Sequence, residues 1–415
     1  DYRDKVIAFY NRPLNDITDF PTLIFPVINK TNETIWLSQN VSIKRSENND
    51  KVIGFTVIAR DITLIKNIEI EASRRERKIR KYSEISKQLT IKSFSNQEKF
   101  EDFLCYLLKI VAEKVDINRV SFWHYQENKI VCAQLYIANK DYFEKGFVLY
   151  KKDYPKYFEA IEKENQIVAQ DVYKNTDTRE FCPEYFPKNS ILSMLDSPIY
   201  SNGKLVGILC FESTTKYKEW DTEDINFSRT ICDFISISIE TNQRIEAEQQ
   251  LAYKSNLLSA ITTITNNFLI NNRLEETIEE TLQIIGKAAK VDRVHFFISN
   301  NEKETISLQH EWVNEGINSQ KNNEGLFDYQ HKDFENLIEI LKLNKEYSFL
   351  VKDLKDEKPK LSLEQRNIKS LLRLPVMVNN ELYGFLGFDD CTSERIWNDD
   401  EINILKTLAN NFATV

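Results

Sequence analysis

The chain has 415 residues, with 55 lysines and arginines set against 64 aspartates and glutamates for a net charge of −9. At roughly 150 residues per domain that length allows two or three domains, and the interleaved charges leave no basic stripe for a phosphate backbone, which excludes nucleic acid as a partner. The longest apolar run, VIGFTVIA at 52–59, falls far short of the ~20 residues of a membrane helix, so this segment is read as having no membrane contact.

The chain opens on DYRDKVIAFY, without an initiator methionine, basic n-region or signal segment, and is read as a piece of a longer polypeptide. Six cysteines lie scattered without a C-x-x-C pair, and four histidines include no i, i+4 pair. That usage fits a reducing cytoplasm and offers no metal knot. No G-x-G-x-x-G or P-loop pattern occurs, so no cofactor is identifiable.

From the N-terminus, TLIFPVINKTNETIWLSQNVSIKRSENNDKVIGFTVIARDIT reads as three strands separated by the turns NKTNE and SENND. Residues 62–89 follow without Gly or Pro, and Ile65, Ile68, Ala72, Arg75, Ile79, Tyr82, Ser86 and Leu89 are spaced by threes and fours. This is a heptad seam, and it predicts a parallel homodimer through a coiled-coil helix.

Downstream the sequence repeats itself. SMLDSPIYSNGKLVGILCFE at 193–212 returns as SLLRLPVMVNNELYGFLGFD at 370–389, an offset of 177, with eight identities that include Ser193/Ser370, Pro198/Pro375, Gly207/Gly384 and Phe211/Phe388. The register runs on to Trp220/Trp397. Within each sentence Asn202-Gly203 or Asn379-Asn380 marks a two-residue hairpin turn. The arms are apolar at nearly every position, as strands covered on both faces are. Asp221 to Asp224 and Asn398 to Glu401 then read as helix starts with an acid three places after the cap. Each unit also has an upstream helix and a strand opening on Arg-Val, at 119 and 293. The fold class is therefore α+β, with antiparallel sheets carrying helices on both faces.

These residues resemble two families of sensory domain. KVIGFTVIARDIT, ending in Asp61-Ile62-Thr63, looks like the end of a PAS domain, where this motif closes the sheet and starts a signalling helix. RVSFWHY, DVYKNTDTREF, SMLDSPI, GKLVGILCFE and EWDTEDINF in one unit, and HEWVNEGI, IKSLLRLPV, ELYGFLGFD and IWNDDEI in the other, resemble GAF domains. The implied order is the C-terminal part of a PAS domain at 1–63, a coiled-coil helix at 64–89, GAF domains at 90–240 and 255–415, and a helical linker at 241–254.

Neither copy has the N-K-x-F-D-E pattern of cyclic-nucleotide-binding members, and Cys182 is followed by Pro183 rather than the His common at bilin-attaching cysteines. The resemblance implies the cytoplasmic sensory region of a bacterial two-component sensor histidine kinase, binding an unknown small-molecule ligand. The output domain would lie beyond Val415, and this chain would not itself be an enzyme. Alternatives are the regulatory region of a cyclic-dinucleotide enzyme or of a transcription activator, and a GAF-fold methionine sulfoxide reductase. Candidate pocket residues are the polar groups of the irregular middles: Asp171, Arg179 and Tyr185 in copy one, and His310, Glu311 and Trp312 in copy two. Ser193/Ser370 are assigned to strand entry and Trp220/Trp397 to packing of the final helix.

Overall fold

The structure is a computed structural model. It describes residues 2–11, 21–47, 51–93, 99–163, 166–270, 273–300, 302–321, 329–331 and 335–413, in two compact units, Asp1–Asn242 and Gln243–Val415.

In the first unit α1 (Tyr2–Tyr10) precedes an antiparallel sheet of β1 (Leu23–Ile28), β2 (Thr34–Arg45) and β3 (Val52–Asp61), in that order. The Asp61-Ile62-Thr63 corner ties this sheet to α2 (Thr63–Ser93). Asp61 Oδ1 accepts from Thr63 N at 2.8 Å and from Thr63 Oγ1 at 2.6 Å, while Thr63 Oγ1 accepts from Trp36 N at 2.9 Å. Asp61 thus satisfies an amide that the helix start leaves open, and Thr63 ties that corner back to the Trp36 amide of β2.

The expected seam along α2 is divided. Ile65, Ile68 and Ile79 are exposed, whereas Tyr82, Ile85 and Leu89 are buried in the core of copy one. Tyr82 stacks on Phe227 with centroids 4.0 Å apart, and its hydroxyl donates to Asp224. A single seam running through Leu89 is therefore corrected: a stripe spaced by three and four serves a sheet-covering helix as well as a coiled coil.

Copy one continues with α3 (Phe100–Val115), β4 (Arg119–Gln126), β5 (Lys129–Ile137), β6 (Tyr142–Glu144), β7 (Val148–Tyr150), α4 (Pro155–Glu162), β8 (Ile167–Ala169), α5 (Tyr185–Asn189), β9 (Ser193–Ser201), β10 (Lys204–Ser213) and the start of α6 (Thr222–Ile270). Its antiparallel sheet runs β6-β5-β4-β10-β9-β8, with β7 also on β5. One face packs on α2, α3 and α6 through residues such as Leu107, Phe122, Leu209 and Ile231.

Copy two uses the end of α6, then α7 (Leu274–Ala289), β11 (Arg293–Asn300), β12 (Thr305–Val313), β13 (Tyr329–Gln330), α8 (Glu335–Lys342), β14 (Tyr347–Leu350), α9 (Glu357–Gln365), β15 (Ser370–Val378), β16 (Glu381–Asp390) and α10 (Asp399–Phe412). Its order, β13-β12-β11-β16-β15-β14, repeats that of copy one. Leu257, Leu282, Leu386 and Leu405 build the matching helical layer.

The repeated sentence is explained by shared local demands. Asn202 and Gly203, like Asn379 and Asn380, all have positive φ, the requirement of a type I′ hairpin turn. A register shift follows each turn at Gly207 and Gly384, and at Gly384 a Cβ would lie 2.1 Å from the carbonyl oxygen of Phe297. The helix starts are closed reciprocally, by Asp221 and Asp224 and by Asn398 and Glu401. Ser193 Oγ accepts from Lys218 N, and Ser370 Oγ from Arg395 N. Both repeated tryptophans are buried in the helical layers.

Candidate functional site

The second face of each sheet is where the copies part. Side chains alternate along a strand, so on β11 Val294 and Phe296 join the helical core while Arg293, His295 and Phe297 project to the other side. From β15 comes Arg373, from β16 Phe385 and Asp389, and from β12 Glu311. With α8 and α9 above them they enclose a cavity of about 410 Å³.

Its floor is polar and buried. Arg373 Nη2 lies 2.7 Å from Asp389 Oδ1, and Arg373 Nη1 also donates to the carbonyls of Leu372 and Phe388 at 3.1 and 3.2 Å. Arg293 Nη1 reaches Asp389 Oδ2 at 3.4 Å and Nη2 donates to the Asn318 carbonyl at 3.0 Å. Arg293 Nε stands 3.4 Å from Glu311 without hydrogen-bond alignment, and is buried with no acceptor. Glu311 instead accepts from Ser319 Oγ and from the Gln320 amide.

Burial pushes the Asp389 carboxyl up, but the guanidiniums of Arg373 and Arg293 outweigh it and hold the carboxyl below its usual range. Burial pushes His295 down to about 3, leaving the ring neutral at pH 7 with its Nε2 buried and unpartnered. Arg366 of the wall donates to the Ser362 carbonyl at 3.0 Å. The upper walls are apolar: Phe297 and Phe385 stacked 4.8 Å apart, with Ile306, Leu308 and Leu337.

In copy one the same face is filled. Register and the offset of 177 set Asp196 where copy two has Arg373, and Tyr185 where it has Ser362. The β8 and β14 pairings align Ile167 with Tyr347, which brings Tyr157 of α4 to the place of Leu337. Tyr157, Phe158, Phe181 and Phe186 form one continuous buried layer with Trp123 and Ile208. In copy two the corresponding apolar layer is split into two clusters, one around Phe385 and one around Leu371. The polar groups of copy one pair among themselves: Arg119 with Glu212 at 2.7 Å, and the Tyr157 hydroxyl with Asp196 at 2.7 Å. Burial pushes the Asp196 carboxyl up to about 7.

Of the residues singled out from sequence, Glu311 lies at the cavity and Tyr185 in the filled layer, its hydroxyl 3.4 Å from Glu212. His310 and Trp312 flank Glu311 on β12 and point to the opposite face, Trp312 lying over Gly286 of α7. Asp171 pairs with Lys174 at 2.9 Å in a surface loop, and Arg179 is exposed. Arg293, His295, Arg373 and Asp389 escape a reading that seeks polar residues in loops. Their signal is a charge inside an otherwise apolar strand, as in SLLRLPVMV and GFLGFDD.

An antiparallel sheet layered by helices on both faces, written twice with one strand order, defines a tandem of GAF-type domains. The GAF domain family is matched over residues 100–239 and 273–415, and the chain belongs to it. The chain is also similar to the methanogenesis regulatory histidine kinase FilI of Methanothrix harundinacea (strain 6Ac), 34% identical over 171 residues that cover 40% of this chain and 19% of that protein. The match thus spans about a fifth of that relative's length. Among solved structures, GAF3 of Slr1393 from Synechocystis sp. PCC6803 is 21% identical, covering 34% of this chain and 91% of that one at a TM-score of 0.31. The free methionine-R-sulfoxide reductase of Neisseria meningitidis is 15% identical, covering 40% and 91% at 0.32.

No helix of the described residues is long and apolar enough to cross a membrane.

Proposed function

We propose that this chain is the sensory region of a signal-transduction protein in which copy two binds a small molecule and copy one is a packed relay module. One observation carries the reading: a single scaffold is filled by aromatic side chains in copy one and hollow around a buried polar floor in copy two. A cavity of this size, mostly apolar with a few convergent polar groups, has the character of a small-molecule site. The thiols favour binding over redox chemistry, since burial pushes Cys132 up to about 12 and Cys391 up to about 11, away from the reactive thiolate.

The finer reading is a cytoplasmic sensor histidine kinase whose output domain lies beyond Val415. The kinase named among its relatives supports it. A PAS-like corner at Asp61 to Thr63 and pairing of two chains through the exposed Ile65, Ile68 and Ile79 of α2 belong to the same reading.

The test is retention of a ligand. The purified chain is incubated with a small-molecule extract of the source cells, desalted and weighed by native mass spectrometry. One bound small molecule per chain is expected, and none with Ser362→Tyr, which places copy one's filling residue in copy two. No retained mass, or equal retention by the variant, overturns the reading.

A further inference from the structure

We propose that in each copy the cap of the outgoing helix stays closed only while the incoming helix is in register, through a joint made of a tyrosine, a cation and the cap's own acid. The inference rests on the reading of the chain as a relay and names the device by which one helix passes its position to the next.

In copy one the incoming helix is α2 and the outgoing helix is α6. Asp224 closes the start of α6 by accepting from the Asp221 amide at 3.2 Å, and Asp221 accepts in return from the Asp224 amide at 3.0 Å. The same buried carboxylate takes the Tyr82 hydroxyl on one oxygen and Lys78 Nζ, at 2.8 Å, on the other. Lys78 also reaches Asp221 at 2.5 Å, and Arg75 pairs with Glu223 at 2.6 Å. Arg75, Lys78 and Tyr82 are spaced by three and four, so one face of α2 meets the first turn of α6.

In copy two α6 is the incoming helix and α10 the outgoing one, and the joint is there again. Glu401 exchanges hydrogen bonds with Asn398 across the start of α10, at 3.1 and 2.9 Å. Its other oxygen accepts from Arg395 Nη2 at 2.7 Å. That nitrogen also donates to the Tyr253 hydroxyl of α6, and Arg395 Nη1 donates to the Ala289 carbonyl at 2.7 Å. Lys254 of α6 pairs with Asp400.

The cap residues of the two joints align at the offset of 177: Asp221 with Asn398, Glu223 with Asp400 and Asp224 with Glu401. Their partners do not. The residues that align with Tyr253 and Lys254 are Glu76, which pairs with Arg80, and Arg77, which donates to the Ser73 carbonyl. The cation on Glu401 comes from the loop between β16 and α10, whereas the cation on Asp224 comes from the incoming helix itself. A capping acid needs neither a tyrosine nor a cation to close its own helix, yet each copy supplies both, from different positions. What recurs is the joint rather than the letters that build it.

The consequence is mechanical. A slide or turn of the incoming helix takes Tyr82 and Lys78 off Asp224, or Tyr253 off Arg395. A buried carboxylate short of its partners is costly, so the first turn that it caps loosens. Packed elements pass between discrete arrangements rather than bending continuously, and the cap reads which arrangement the helix before it has taken.

Hydrogen exchange of the full chain tests this with Tyr82→Phe, Lys78→Gln, Tyr253→Phe and Arg395→Lys, each checked for folding by circular dichroism. Exchange at residues 224–227 should rise tenfold or more in the first two, and at residues 401–404 in the last two, while β9, β10, β15 and β16 keep their protection. Arg395→Lys keeps the charge, but a compact ammonium does not span Ala289, Tyr253 and Glu401 as the guanidinium fork does. Arg80→Gln, which breaks an exposed pair on α2, should change nothing. Tyr82→Phe combined with Asp224→Asn should exceed the larger single effect by no more than twofold, since both remove one interaction. If Asp224→Asn does not fold, the four single variants decide. Unchanged exchange at the caps, an equal rise in the strands, or single effects that multiply in the combined variant would each overturn the joint. The measurement needs no ligand. A small molecule retained by a chain whose caps do not respond would sink the joint and leave the sensor reading intact, and responsive caps in a chain that retains nothing would do the reverse.

Discussion

Copy one and copy two have the same strand order, the same turn geometry and the same helix caps, yet the second face of the sheet is closed in one and open in the other. The difference rests on few positions. Tyr157, Tyr185 and Asp196 fill and neutralise the face in copy one, and Leu337, Ser362 and Arg373 clear and charge it in copy two. A scaffold held by its helical layer tolerates such exchange, because the residues that specify strand order sit on the other face.

The largest break should come from the shared carboxylate. Asp389→Ala leaves two buried guanidiniums without their common partner, and about 3–5 kcal/mol of stability should be lost. Hydrogen exchange should place that loss in β15 and β16. If those strands stay protected, the network is not what holds the floor.

Packing should separate the copies next. Phe186→Ala in the filled layer should cost about 3 kcal/mol or more, while Leu363→Ala at the cavity edge should cost about 2, as read by urea denaturation. Equal costs would mean that copy two is packed as tightly as copy one.

Acid should act in opposite directions on two buried carboxylates, Asp196 of copy one and Asp389 of copy two. Asp196 is held at about 7 against roughly 3.9 when unfolded, so the native form binds the extra proton. Copy one should gain stability as pH falls from about 7 to about 4, by at most ~1.4 kcal/mol per unit. Asp196→Asn should flatten that slope. Asp389 is held low, so its contribution is present above about 3.9 and lost as pH falls through its depressed value. Region-resolved hydrogen exchange checks the first sign between pH 7 and 4 and the second below about 3.9, and a decline of copy one between pH 7 and 4 would contradict the first.

The smallest effect belongs to the loop positions. Arg179→Ala and Asp171→Ala should leave thermal midpoints and ligand retention unchanged, since both side chains lie outside the filled layer. A shift in retention would move the site to copy one.

The architecture was legible because it is written in local chemistry: the paired asparagines of the turns, the acids three places after each cap, the apolar hairpin arms. The floor was harder to see. Arg293 and Asp389 meet across β11 and β16, 96 residues apart in sequence, and nothing local announces that pairing. His310, Glu311 and Trp312 form one tempting triplet, but alternation along β12 allows only Glu311 to face the cavity. The heptad of α2 was ambiguous for a related reason, since Tyr82 and Leu89 satisfy a coiled coil and a sheet-covering helix alike.

One contact also constrains the history of the repeat. His295 lies so close over β16 that a Cβ at Gly387 would fall 1.9 Å from its Nε2. In copy one the aligned pair is Ser121 and Cys210, opposite each other across β4 and β10. Bulk on one strand is balanced by its lack on the other. If both copies descend from one duplicated gene, a lineage changing one position at a time could pass between the two pairs through serine beside glycine. Histidine beside cysteine is closed to it, so in either direction of that route the imidazole and the larger cross-strand neighbour are never present together.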